Sequence, residues 1–192
     1  MVIVSSWDDG WKDEELIDLF NEENIKTTFC LVGKHLKNNF SIYNNFEIVN
    51  HTMNHLNLTK CDFKTIKSEV SDCQKLLEDK FNRRVYGFCY PGGYFNNDIE
   101  KFIFDMGFVY TRKISKGNIS KGNKHSLGVD SCIESKNFLN DYQSSRGLFS
   151  FYGHAAHIET SKVREYVKCM KSNGDKFITN IEYIKTNTLK HI

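Results

Sequence analysis

The sequence predicts an α/β fold on a parallel sheet, either a β/α barrel or a doubly wound sheet. Three observations point that way. Short β-rich runs alternate with helical patterns along the whole chain. About seven such strand–helix units fit within 192 residues. Residues with reactive side chains recur at the carboxyl ends of the strand runs, where both architectures build their active sites.

In chain order, VIVSSW reads as the first strand and KDEELIDLFNEE as a helix with Leu16, Leu19 and Phe20 on one face. TTFCLVG (27–33) is a second strand ended by Gly33, and FEIV (46–49) a third, followed directly by HTMNH. In DFKTIKSEVSDCQKLLEDKF, Ile66, Val70, Cys73 and Leu77 step by four, three and four, one continuous buried stripe. RVYGFCY (84–90) is a strand, and NDIEKFIFDMG (97–107) a helix whose Gly107 suits a left-handed cap. FVYTR, SLGV and GLFSFYG (147–153) add strands; TSKVREYVKCMKSNG is a late helix ended by Gly174, and FITNIEYI a closing strand.

The length suits one domain spanning 1–192 with a substantial core. A net charge of +2, with no cluster of basic residues, gives no case for nucleic acid or a membrane surface. The six scattered cysteines contain no CxxC pair and read as reduced, mostly buried thiols. MVIVSSWDD lacks the basic and apolar regions of a signal peptide, and no apolar stretch has spanning length. A cytoplasmic, soluble chain is expected, with secretion only if a leader was trimmed.

Asp8 and Asp9 end the first strand side by side, although like charges raise each other's cost of ionisation. A solvated turn or a helix cap would account for such a pair. The partners further along suggest more. His51 and His55 follow the third strand four residues apart, and on a helix they would share one face. With an oxygen from Asp9 they make a His₂Asp set with open positions, the pattern of a catalytic metal site. A cation there offsets the repulsion and leaves Asp8 free as general base. The single proline, Pro91, implies a demanding loop in FCYPGG; Tyr90, Pro91 and Gly92 are expected on the substrate and oxyanion side, where the Gly92 N–H can donate to an oxyanion. Arg112 ends the fifth strand and either pairs with a carboxylate in the site or lies in solvent. His154 ends a late strand on the same rim, where it is structural or a general acid; His157 offers the same chemistry beyond the strand. Trp7 carries no assignment from the sequence.

Taken together, SWDDG, TTFCLVG, FEIVNHTMNH, FCYPGG and FYGH resemble, in order, the motifs of the polysaccharide deacetylases, the NodB-homology carbohydrate esterases. The resemblance implies a distorted β/α barrel of about seven parallel strands. It implies hydrolysis of an N-acetyl group on an amino-sugar glycan, or an O-acetyl ester by the same water attack. It assigns Asp8 as base, His154 as acid, Gly92 to the oxyanion, and Asp9, His51 and His55 to a divalent ion, usually zinc, with cobalt, nickel or manganese as alternatives. A non-catalytic glycan-binding protein on the same scaffold would have lost a ligand or the base, and all are present. Cys89 stands where the family's base-orienting arginine is expected, so Arg112 is expected to take over. The acidic partner of His154 is expected at Asp130 or Asp141.

Overall fold

The first strand, β1 (Val2–Asp9), carries β-branched and aromatic residues suited to a pleated surface covered on both faces, and residues 3–8 are all buried. In the computed structural model, which describes residues 1–36, 40–114 and 125–188, the chain continues through α1 (Glu14–Glu22), β2 (Thr28–Leu31), β3 (Glu47–Asn50), α2 (Phe63–Phe81), β4 (Gly87–Cys89), α3 (Asn97–Asp105) and β5 (Tyr110–Arg112). It then forms β6 (Ser126–Leu127), β7 (Ser131–Cys132), α4 (Phe138–Ser144), β8 (Leu148–Gly153), α5 (Thr160–Ser172), β9 (Lys176–Ile178) and α6 (Asn180–Thr188).

Among the described residues all nine strands join one parallel sheet in the order β6-β5-β4-β3-β2-β1-β8-β7. From β1 to β6 the order runs one way without reversal, which selects the barrel over the doubly wound sheet. β8 pairs with β1 from Val2 to Trp7, while β2 takes Ser6–Asp9 and β9 takes Val2–Val4 on the other flank. Two strands thus share one edge of β1, and the sheet curls into a distorted β/α barrel. The strand with no counterpart among the expected runs is β7, of two residues; β6 and β9 are likewise short, of two and three residues.

Strand parity sorts the side chains. Ile3 and Trp7 pack outward among Leu16, Leu19, Phe20 and Phe151. On the inner face Glu47 accepts from Thr28 Oγ1 (2.8 Å) and from the Tyr110 hydroxyl (2.7 Å) near the amino ends of the strands. At the carboxyl ends the inner face carries Asp8 and Arg112.

One element departs from expectation. FITNIEYI alternates like a strand, but β9 stops at Ile178 and α6 follows. Thr179 and Glu182 exchange bonds, the Thr179 N–H donating to Glu182 Oε2 (3.0 Å) and the Glu182 N–H to Thr179 Oγ1 (3.3 Å). This T-x-x-E capping box starts a helix and overrides the alternation. α6 closes the amino end of the barrel: the Asn180 and Ile181 N–H groups donate to Thr28 Oγ1 and Glu47 Oε2, and Ile184 packs with Cys30, Val49 and Cys89. The stripe Ile66, Val70, Cys73 and Leu77 is buried as its spacing predicts, on a helix capped by Asp62. All six cysteines are free thiols; Cys30, Cys73 and Cys89 are buried, Cys61 and Cys132 half-buried, and Cys169 exposed. No helix among the described residues is long and apolar enough to cross a membrane.

Trp7 acquires a packing role. Its indole lies against Phe20 (centroids 5.4 Å apart) and edge-on to Phe151, over the end of β8. There Gly153 leaves the space it needs: a Cβ on Gly153 would meet Ile133 Cγ2 at 2.3 Å and Trp7 Cζ3 at 3.1 Å. Overpacking a core site costs about 1–3 kcal/mol. Gly153→Ala is therefore expected to lower Tm by roughly 3–10 °C with the circular dichroism spectrum retained. An unchanged Tm would show that this contact yields freely.

Candidate active site

The paired aspartates reach one site by different means. Adjacent strand residues point to opposite faces. Asp8 faces inward by parity, whereas Asp9 has φ +80°, a left-handed backbone that turns its carboxylate onto the rim. The Asp9 carbonyl is held by His35 Nδ1 at 2.9 Å.

HTMNH is not helical. It forms a tight loop in which Thr52 (φ +65°) and His55 (φ +60°) are both left-handed, an uncommon state for a β-branched residue. The loop is held on every side. Asn50 Oδ1 accepts from the Thr52 N–H and Asn50 Nδ2 donates to the Val70 carbonyl. Glu69 of α2 accepts from the Asn54 backbone (2.8 Å) and side chain (2.7 Å), and Thr52 Oγ1 accepts from the His55 N–H. The curl brings the imidazoles together by another route than the expected helix turn, with ring centroids 4.8 Å apart.

Three donor atoms converge there. Asp9 Oδ1 lies 3.7 Å from His51 Nε2 and 3.4 Å from His55 Nε2. Two ligands of one tetrahedral zinc stand about 3.4 Å apart. His51 Nδ1 is engaged by the Cys89 carbonyl (2.9 Å), which directs Nε2 at Asp9. Burial lowers the His51 pKa to about 4, so the ring is neutral, the form that ligates a metal. Asp9 Oδ1 is buried and, among the described residues, accepts no hydrogen bond. A buried carboxylate oxygen without a donor, facing the Nε2 atoms of two imidazoles, fits a cation.

Asp8 is buried beside this group and paired with Arg112, whose Nη2 donates to Asp8 Oδ1. Burial pushes the Asp8 pKa up, but Arg112 and His51 outweigh it and hold the carboxyl below its usual value. Arg112 is the register partner of Cys89 across β4 and β5, so the guanidinium enters the same inner layer one strand over. It also lies over the Tyr152 ring, 5.1 Å from the centroid.

His154 follows β8, and its acidic partner is Glu134, in place of the expected Asp130 or Asp141. Glu134 Oε1 accepts from the His154 N–H (2.7 Å) and lies 3.1 Å from His154 Nδ1. Asp130 instead accepts from the Ser150 N–H, and Asp141 from Ser131 Oγ. The Glu134 hydrogen bond raises the His154 pKa above 6.5; burial opposes this, and Asp8 and Asp9 add to it. Burial acts to raise Glu134, but donors from His154 and Cys132 hold it at about 2. Glu134 escaped the sequence reading because β7, which it follows, is only two residues long.

The Tyr90-Pro91-Gly92 loop divides. The Tyr90 ring is fully buried against Phe88 and Phe95, which makes it a packing group and removes it from any substrate surface. Pro91–Gly93 forms one tight turn with φ +60° at Gly92, where a Cβ would meet the Tyr94 ring at 2.8 Å. The Gly93 and Tyr94 N–H groups bond within this turn.

The chain belongs to the polysaccharide deacetylase family, whose sequence model matches residues 1–111. It is 27% identical over 115 residues to a peptidoglycan-N-acetylglucosamine deacetylase of Bacillus cereus, covering 56% of this chain and 54% of that protein. A relative from Bacillus subtilis is 22% identical over 117 residues, 42% of its length, so the chain spans about half the length of the curated relatives it matches. Among solved structures it resembles a mutant CE4 family pseudoenzyme with restored enzymatic activity (TM-score 0.77, 19% identity, 95% of this chain and 67% of that one). It also resembles the CE4 domain of a multidomain xylanase from the hindgut metagenome of Trinervitermes trinervoides (TM-score 0.76, 16% identity, 97% and 91%).

Removing one partner of a buried ion pair strands the other charge, at a cost of about 3–5 kcal/mol. Arg112→Ala is expected to lose about that much in urea unfolding, and Asp8→Asn with Arg112→Ala together less than the sum of the two single changes. Strict additivity would show that the pair is not coupled.

Proposed function

We propose that this chain is a metal-dependent hydrolase that removes N-acetyl groups from an amino-sugar glycan. The observation that carries the reading is the convergence of Asp9, His51 and His55 on one point, beside an ionised Asp8 anchored by Arg112. Those three would hold a divalent cation, zinc before cobalt, nickel or manganese by donor chemistry. When bound, such an ion supplies Lewis acidity at the acetyl carbonyl and lowers the pKa of water.

The remaining work falls to side chains. Asp8 is kept ionised at neutral pH and takes the proton of the attacking water. Arg112 is the positioning residue: it fixes the rotamer of Asp8 and holds its charge. The left-handed Gly92 turn gives a backbone N–H access to the developing oxyanion. His154, kept protonated by Glu134, delivers the proton to the departing amine.

Acetate release from N-acetyl chito-oligosaccharides, peptidoglycan fragments and O-acetylated xylo-oligosaccharides tests this. Release from the N-acetylated sugars should stop with chelator and return with zinc or cobalt. Asp8→Asn should lower kcat/KM by about 10²–10⁴, and Arg112→Ala should lower kcat more than it changes KM. Release that persists in chelator, or in Asp8→Asn, would defeat the proposal.

The pH profile has a defined sign. The acid works while His154 is protonated, so kcat/KM should fall as pH rises through a pKa that Glu134 holds above 6.5. Glu134→Gln removes the negative partner, and the alkaline limb should move to lower pH. A shift the other way would exclude His154 as the acid.

A further inference from the structure

Directly after His154 the chain makes a single 3₁₀ turn, Ala155–His157, in which the His157 N–H donates to the His154 carbonyl (3.0 Å). Three residues per turn places i and i+3 one above the other. The two imidazoles of H-A-A-H therefore share a face, with ring centroids 5.0 Å apart at 44°. Glu134 reaches the same point, with Oε1 against His154 Nδ1 and its other oxygen taken by the Cys132 thiol. One donor atom from each of Glu134, His154 and His157 lies within 4.8 Å of the other two. The donor types repeat those of Asp9, His51 and His55, but no residue is shared. His157 is exposed and has no part in the proposed reaction. It lines a surface cavity of about 520 Å³ together with Glu14, Glu15, Glu159 and Lys12. Three carboxylates against one ammonium favour the entry of cations.

We propose that Glu134, His154 and His157 form a second divalent-cation site, selective for zinc-class ions, whose occupation inhibits the enzyme. The inhibitory half rests on the reading of His154 as proton donor. An ion bound at His154 Nδ1 displaces the proton that this nitrogen shares with Glu134, and so discharges the imidazolium. The ring left on the ion is neutral and cannot protonate an amine. Activity should thus rise with the first equivalent of zinc and fall as this weaker, more exposed site fills.

The test uses the whole chain, stripped with chelator and titrated with zinc chloride by calorimetry and with cobalt chloride by visible spectroscopy. The wild type should take up two equivalents and His157→Ala one. His55→Ala should keep the weaker event. Acetate release should fall by at least about tenfold beyond the first equivalent in the wild type, since a positioned acid contributes about 10²–10⁴. It should show no such fall in His157→Ala. One equivalent in the wild type, two in His157→Ala, or the same inhibition in both would overturn the proposal. If no acetate is released at any zinc concentration, the reading of the reaction fails instead, and the stoichiometries still decide whether the second site exists.

Discussion

The buried ion pair of Asp8 and Arg112 is the interaction on which the rest of the site depends. Two carboxylates side by side at a strand end would otherwise push one toward its neutral form. The guanidinium offsets Asp8 from inside the barrel, and Asp9 is left facing two imidazoles on the rim. The site is therefore divided by depth, a paired acid below and a donor cluster above. The barrel makes this possible because strand ends at neighbouring positions deliver side chains to a common interior.

Backbone conformation carries the other half of the arrangement. Asp9, Thr52 and His55 all adopt positive φ, and each departure aims a side chain that regular structure would send elsewhere. Such conformations cost of order 1–3 kcal/mol each and persist only when their surroundings enforce them. Here Asn50, Glu69 and His35 supply that enforcement through hydrogen bonds to the same loops. These three polar residues therefore matter to the site without touching its chemistry.

Much of this was legible in the residues. Alternation of strand and helix patterns gave the parallel sheet, and strand ends located Asp8, Asp9, His51, Arg112 and His154 on one rim. What escaped lay where local signals were short or ambiguous. Two-residue β7 has no periodicity to detect, which hides Glu134 and leaves only Asp130 and Asp141 as candidates. The FITNIEYI alternation hid a capping box, whose T-x-x-E was present in the sequence but outweighed by β-branched residues. Tyr90 was placed in the site by its neighbours in the chain, yet an aromatic beside two other aromatics is drawn into the core. The convergence of His51 and His55 was anticipated through a helix, and a curled loop produced it.

The cross-strand register of Cys89 and Arg112 limits where the buried guanidinium can be rooted. A barrel with its arginine on β4 and one with its arginine on β5 place the guanidinium within the same layer, a single strand apart. Stepwise exchange must pass through a chain holding either two cations against one carboxylate or none. Each intermediate would bury an unbalanced charge, so a stability valley would separate the two arrangements. The Cys89 thiol suits the arrangement seen here. It is small enough to leave room for the long side chain from next door, and polarisable enough to border a positive group.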